Sequence, residues 1–336
     1  MTYNIERVGV IGAGSWGTAL AQAISLTTPD VTLLARNDDL AQEINAEHTN
    51  TRYLGDDIKL HDAIRATTDF EAVGQNSDAI FMVTPAQHMR KALEELKPHL
   101  KPETPLVICS KGIEISTGML MSDVLKDVLG KQPYHVLSGP NFAHEVAKGL
   151  PAAATLAGED KKMGKVIAHA IFSRTFRPYV TSDPIGAEIG GAVKNVVAIA
   201  CGIVYGYELG ENAKAAIMTR GMAEMKRMGK ILGARSETFL GLSGLGDLTL
   251  TCNSMQSRNF SLGVARGRGE SLNEILAKRI NVTEGVATAS AVLDFAKKHA
   301  VDMPICKAVN NTLHADVTVK ETIEALTSRP LTQESL

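Results

Sequence analysis

The sequence predicts an α/β protein: a doubly wound, mostly parallel sheet, followed by a mainly α-helical second domain. Short β-rich runs alternate with helical ones as far as Ser182. That alternation is the mark of βαβ units laid side by side in a parallel sheet. Beyond Ser182 the strand pattern stops and long helical periods replace it. The chain of 336 residues also has enough material for two cores. The expected domains are residues 1–182 and 183–330.

The elements follow in order. "RVGVIG" (7–12) reads as a strand, and "TALAQAIS" (18–25) has helical period. "VTLLAR" (31–36) and "AIFMVT" (79–84) are strands. Pro85 then opens the helix of "QHMRKALEEL", where proline is tolerated because the first N–H groups of a helix lack internal partners. "PLVICS" (105–110), "YHVLSG" (134–139), "AAATLAG" (152–158) and "FRPYVTS" (176–182) continue the strand series. In the second domain, residues 187–207, 213–232, 271–279 and 287–299 read as helices. The third and fourth are amphipathic, and the first is apolar nearly all round, which places it centrally. The final "SRPLTQESL" is polar and expected to fray.

Composition narrows the function classes. The chain is 44% hydrophobic and 21% charged, with a formal net charge of -2. That balance offers no basic field for nucleic acid or an anionic membrane. Ile185 to Tyr207 is long enough to span a bilayer, yet Glu188 and Lys194 inside it would be costly at membrane depth. A buried core helix is the expectation. The amino-terminal "MTYNIERVGVIG" lacks the pattern of a signal peptide. Cys109, Cys201, Cys252 and Cys306 are scattered and read as reduced thiols of a cytosolic protein. The nine histidines form no HxH or HExxH group, so no metal site is expected.

"VGVIGAGSWGTALA" holds Gly12, Gly14 and Gly17 in GxGxxG spacing. The pattern is weak alone. Here it follows a strand and opens a helix, the context that gives it meaning. Gly12 suits the tight turn, Gly14 the approach of a pyrophosphate, and Gly17 close packing of helix on strand. A helix amino terminus there supplies free N–H groups for phosphate. The second strand ends at Arg36, where an NAD site usually carries an acid. Arginine suits a 2′-phosphate or stacking on adenine, which favours NADP over NAD.

Ligands of open parallel sheets bind beyond the carboxyl ends of the strands. Small polar motifs stand there: "TPAQ", "SKG" with Lys111, and "SGPNFA" with Gly139 and Asn141. Further on, "GLSGLGDLTLTCNSMQSRN" combines turn-forming glycines, Asp247, and then Ser257, Arg258 and Asn259 before a helix start. A cap residue, an arginine and free N–H groups together make an anion site. A capped helix with a surface arginine would look the same. Within "IGGAVKNVVAIACG", Lys194 sits in an apolar setting, where a lysine either snorkels or serves chemistry. On a helix, Gly190, Gly191, Val197, Ala198 and Cys201 share its face, and the glycines are expected to leave room for reactants.

The ordered motifs "GAGSWGTALA", "SKGI", "SGPNFA", "GAVKNVVAIACG", "GLGDLTLTC" and "SRN" carry a family resemblance over residues 7 to about 325. The chain resembles the bacterial NAD(P)-dependent glycerol-3-phosphate dehydrogenases. The resemblance implies a Rossmann domain followed by a helical domain of the 6-phosphogluconate dehydrogenase type. It implies interconversion of sn-glycerol 3-phosphate and dihydroxyacetone phosphate for phospholipid synthesis, in the cytoplasm, by a homodimer. It assigns the proton acceptor to Lys194. Substrate contacts fall on Lys111, Gly139, Asn141, Lys194, Asp247, Ser257, Arg258 and Asn259. Cofactor contacts fall on Gly12, Gly14, Ser15, Trp16, Gly17, Arg36, Lys111, Ala143, Arg258, Val282 and Glu284. Asn141 departs from the Ser or Thr that many relatives carry. Two alternatives stand beside this reading: another two-domain dehydrogenase of hydroxy or sugar acids, and a non-catalytic NAD(P)-binding sensor, which would not need Lys194.

Overall fold

The structure, a computed structural model, describes residues 4–279, 282–315, 317–330 and 333. The expectation for the tail "SRPLTQESL" falls in part outside the described residues. The chain forms two compact units, residues 1–110 with 121–184, and residues 111–120 with 185–336.

The first unit runs β1 (Arg7–Ile11), α1 (Ser15–Ser25), β2 (Asp30–Leu34), α2 (Asp38–Glu47), α3 (Thr51–Leu54), β3 (Ile64–Thr67), α4 (Phe70–Asn76) and β4 (Ala79–Met82). It continues with α5 (Met89–Leu96), β5 (Leu106–Ile108), α6 (Met121–Leu129), β6 (Tyr134–Ser138), α7 (Ala143–Ala147), β7 (Ala152–Ala157), α8 (Lys161–Ile171) and β8 (Phe176–Thr181). The sheet order is β3-β2-β1-β4-β5-β6-β7-β8. Strands β1 to β6 pair in parallel, β7 runs antiparallel to β6, and β8 parallels β7. The first six strands follow the doubly wound order in which ligands meet the carboxyl edge. The central strands are buried on both faces, as β4 with Ala79, Ile80, Phe81 and Met82 illustrates. Such strands read as continuous apolar runs rather than alternating ones.

The second unit holds α9 (Pro184–Gly206), α10 (Gly210–Leu232), α11 (Asp247–Cys252), α12 (Arg258–Gly267), α13 (Leu272–Ala277), α14 (Glu284–His299), α15 (Pro304–His314) and α16 (Val319–Thr327). α9 is long and apolar enough to cross a membrane, but its apolar window is wholly buried. It forms the centre of a core that includes Val193, Val196, Val197, Ile199, Phe260 and Val292. The core-helix expectation describes it. Residues 111–120 join this unit although they precede the sheet's last strands. Their anchors Ile113 and Leu120 pair as a β-bridge and are buried in the helical core.

Two devices tie these helices together. Glu224 of α10 is fully buried and accepts hydrogen bonds from the N–H groups of Ile305 (2.6 Å) and Cys306 (3.1 Å) at the start of α15. It caps that helix from a neighbouring one, and burial pushes its carboxyl up to about 6. The second device is backbone contact between α9 and α12. A Cβ on Gly263 would overlap the Ile199 carbonyl oxygen and lie 2.9 Å from the Gly202 Cα. One turn along, a Cβ on Gly206 would overlap the Val264 carbonyl oxygen. A Cβ on Gly267 would likewise press on the Ile203 carbonyl oxygen and lie 3.1 Å from the Gly206 carbonyl carbon, so glycines on both helices let the two backbones touch.

This contact predicts that Gly263→Ala destabilises the protein by about 1–3 kcal/mol, because added volume must displace backbone rather than a flexible side chain. A denaturant midpoint measurement checks it. An unchanged midpoint would mean that α9 and α12 are not held this close.

Candidate active site

The glycine loop leaves β1 through Gly12, whose φ of +117° lies in the left-handed region that favours glycine. Its N–H donates to the Leu34 carbonyl (3.2 Å), fixing the loop against β2. A Cβ on Gly17 would overlap the Gly12 carbonyl oxygen, so α1 can leave this tightly only with glycine there. Gly14 precedes α1, and a Cβ there would meet nothing within 4 Å. No side chain caps α1, so its first N–H groups, Ser15 and Trp16 among them, have no capping partner. This is a cradle for an anion.

Residues that the sequence reading missed hold the cradle. Asn50 is buried and donates to the Ala13 carbonyl (3.1 Å) and the Thr18 hydroxyl (2.7 Å). The Ser15 hydroxyl donates to the Tyr53 carbonyl (3.0 Å). Trp16 packs half-buried against the first core. Arg36 is exposed just past β2, and Asn37 caps α2 by accepting from Leu40 N–H (3.1 Å). Farther along the carboxyl edge, Thr84 Oγ1, Ser138 Oγ and Asn141 Oδ1 are buried without hydrogen-bond partners. Asn141 Nδ2 donates to the Ala153 carbonyl (3.1 Å), which aims the amide and leaves its oxygen unmatched. Gly139 is needed because a Cβ there would press on the Ala154 Cα at 2.9 Å. Ala143 begins α7 just beyond. An uncapped helix, open space at Gly14 and orphaned polar atoms at the strand ends fit a dinucleotide.

In the second unit, Lys194 is the amine of α9, and only 7% of it is exposed. Its Nζ donates to Asp247 Oδ1 (2.5 Å) and to Thr251 Oγ1 (2.9 Å). Lys111 Nζ donates to the other Asp247 oxygen at 2.6 Å. One carboxylate, 1% exposed, therefore serves two ammonium groups. Thr251 completes the site from one turn along α11 and also donates to the Asp247 carbonyl at 2.5 Å. Burial pushes the Lys194 amine down, Asp247 resists, Lys111 adds to the push, and the result is about 8. Burial pushes the Asp247 carboxyl up, but Lys111 and Lys194 outweigh it and hold it below its ordinary value. A lysine ammonium has three hydrogens, and two are committed here. The third can meet a reactant.

Asp247 follows a π-helical turn, Leu242–Gly246. Such turns are rare and frequent at functional sites. A Cβ on Gly190 would overlap the Ser243 carbonyl oxygen, so α9 and this turn meet backbone to backbone. This corrects one expectation. The space beside Gly190 is filled by Ser243 and Gly244, not left for reactants. What the glycine provides is the close approach that brings Asp247 to Lys194.

A second cluster stands at the starts of α12 and α14. Ser257 caps α12 by accepting from Phe260 N–H (3.2 Å), which leaves its hydroxyl proton to donate. Arg258 is exposed, and its Nη1 donates to the Val282 carbonyl (2.9 Å) just before Glu284 opens α14. Arg279, which the sequence reading did not single out, donates to the Arg258 carbonyl at 2.7 Å. Asn259 is buried and committed on both ends of its amide. It donates to Asn195 Oδ1 (2.8 Å) and accepts from Gly285 N–H (3.0 Å). The neighbour of Lys194 thus ties this cluster to α9. Among the described residues, no three His, Cys, Asp or Glu side chains group as a metal site would.

The chain is similar to known proteins over nearly its whole length. Residues 7–164 match the family described as NAD-dependent glycerol-3-phosphate dehydrogenase N-terminus, and residues 183–324 match its C-terminus. The chain is 51% identical over 335 residues to a glycerol-3-phosphate dehydrogenase [NAD(P)+] of Parvibaculum lavamentivorans, covering 100% of each. It is 52% identical over 332 residues to one of Caulobacter vibrioides, covering 99% of this chain and 100% of that one. A solved glycerol-3-phosphate dehydrogenase of Coxiella burnetii superposes with a TM-score of 0.92 at 36% identity, covering 96% of this chain and 99% of that one. The chain belongs to the NAD-dependent glycerol-3-phosphate dehydrogenase family.

Proposed function

We propose that this chain interconverts sn-glycerol 3-phosphate and dihydroxyacetone phosphate with a nicotinamide cofactor, as a cytoplasmic homodimer supplying phospholipid synthesis. The observation that carries the mechanism is the buried Lys194–Asp247 pair with its one uncommitted hydrogen. The relatives' names and the phosphate-suited start of α12 support the substrate. A sensor that only bound the nucleotide would have no use for a buried, shifted amine.

The nucleotide, when bound, exchanges a hydride with the substrate carbon. Gly12, Gly14, Ser15, Trp16 and Gly17 would take its pyrophosphate, and Arg36 its ribose end. Lys111, Ala143, Arg258, Val282 and Glu284 are its further contacts by family correspondence. Gly139 and Asn141 are assigned to the substrate in the same way. In the reducing direction the Lys194 ammonium gives its free proton to the oxygen that becomes the hydroxyl. In the oxidising direction the neutral amine takes that proton. Asp247 keeps the amine in place and compensates the ammonium charge, which makes it a positioning group in either direction. Arg258, the Ser257 hydroxyl and the first N–H groups of α12 would bind the phosphate. Asn259 has one N–H left for the same anion. A turnover assay with dihydroxyacetone phosphate and NADPH tests the whole reading. Absence of turnover by a folded, cofactor-binding preparation would defeat it.

The proton role predicts that Lys194→Ala lowers kcat by about 10²–10⁴-fold, while titration with NADPH gives an unchanged affinity. Near-normal turnover would remove Lys194 from the mechanism. The pH dependence has opposite signs in the two directions, since only one protonation state serves each. With the amine at about 8, oxidation should rise with pH up to that point and level off, and reduction should fall above it. Matching profiles in both directions would assign the proton to another group. Arg258→Ala should raise KM for dihydroxyacetone phosphate by about 10- to 100-fold, the cost of losing charge-assisted bonds, with a smaller change in kcat. An unaltered KM would place the phosphate elsewhere.

A further inference from the structure

A cavity of about 180 Å³ lies beside the end of β2, with Arg36, Asn37, Asp39, Glu43, Arg52 and Tyr53 in its wall. Arg36 and Arg52 come from different elements, one just past β2 and one from α3. Among the described residues neither guanidinium makes an ion pair or hydrogen bond, although two acids stand in the same wall. The Glu43 carboxylate is already engaged. It accepts from Thr51 N–H (2.7 Å) and the Thr49 hydroxyl (3.2 Å), and so caps the start of α3. Burial pushes the Glu43 carboxyl up, but those bonds outweigh it and hold it below its ordinary value. Asp39 remains a single charge against two cations, in the first turn of α2, whose amino end favours anions. Arg52 also lies over the Tyr53 ring, 5.7 Å from its centre. The short helix that carries it is stitched to the glycine loop by Asn50 and by the Ser15–Tyr53 bond.

We propose that Arg52 is a specificity residue that acts with Arg36 to clasp a 2′-phosphate on the adenosine ribose. This rests on the dinucleotide reading of the glycine loop and extends it to a choice between cofactors. Two unpaired guanidiniums facing one cavity match a dianionic phosphate, which offers more acceptors than one arginine can fill. A ribose 2′-hydroxyl would call instead for an acid just past β2, where Arg36 stands.

The test is calorimetric binding of 2′,5′-ADP and of 5′-AMP to the full chain, which separates the phosphate from the rest of the nucleotide. The wild type should bind 2′,5′-ADP at least tenfold more tightly, about one charge-assisted bond's worth. Arg52→Ala should lose about tenfold for 2′,5′-ADP and leave 5′-AMP within about twofold. Arg52→Lys should recover part of the loss. Equal losses for both nucleotides would mean that Arg52 stacks on adenine, and no loss would mean that it is a surface arginine. Either overturns the proposal while the dinucleotide site stands. Equal wild-type affinity for the two nucleotides would also overturn it, along with the 2′-phosphate role of Arg36. Failure to bind either would defeat the dinucleotide reading itself.

Discussion

The helical unit is organised around one shared carboxylate. Asp247 receives Lys111 on one oxygen and Lys194 on the other, in a place almost without water. A buried amine and a buried carboxylate are each costly, and together they persist only with close geometry and satisfied hydrogen bonds. The local fold supplies both. Gly190 lets α9 come within backbone contact of the turn that presents Asp247. Thr251, one turn along α11, fills the second position on the lysine and returns its own proton to the Asp247 carbonyl. Removing any of these would leave a buried charge short of partners.

The same economy of side chains governs the helix contacts. Glycine pairs let α9 and α12 touch, so the segment starting at Ser257 is held rigidly against the helix that carries the amine. The chain Asn195, Asn259 and Gly285 N–H extends that rigidity to the start of α14. Hydrogen-bonded amides of this kind fix relative position more than they add stability, since each replaces bonds to water. The helical unit therefore holds an amine and the start of α12, with Ser257 and Arg258, in one frame. The first unit separately offers an uncapped helix beside a glycine loop.

Much of this was legible in the sequence because its signals are local. The parallel strands are buried apolar runs, and GxGxxG marks a turn whose glycines the backbone requires. The limits of legibility are physical. β3, "IRAT", is short and half polar, so nothing in its pattern distinguishes it from a loop. Residues 111–120 look like part of the sheet domain, and only the burial of Ile113 and Leu120 assigns them to the helices. Gly190 illustrates a second limit. Its lack of a side chain was readable, but what fills the space depends on a turn 53 residues beyond. Lys194 and Asp247 could each be singled out, yet their contact, with Thr251 between them, spans 53 and 57 residues. Arg52 and Arg279 carry no motif at all. They matter because of where the fold puts them.

Lys111 bears on the charge state of the buried amine. Burial alone would drive the Lys194 amine toward neutrality, and Asp247 alone would keep it charged. Lys111 competes for that carboxylate and repels the second ammonium. The balance near 8 lies close to neutral pH, so neither form of the amine is far out of reach there. A reduction that took its proton from this amine would need the ammonium form, and an oxidation that gave its proton to it would need the neutral form. An isolated lysine–aspartate pair would hold the amine more fully charged and make it a poor acceptor. A lysine without Asp247 would be mostly neutral, with few ammonium groups carrying a proton to give. Sharing one carboxylate between two lysines keeps both forms of a single amine within reach.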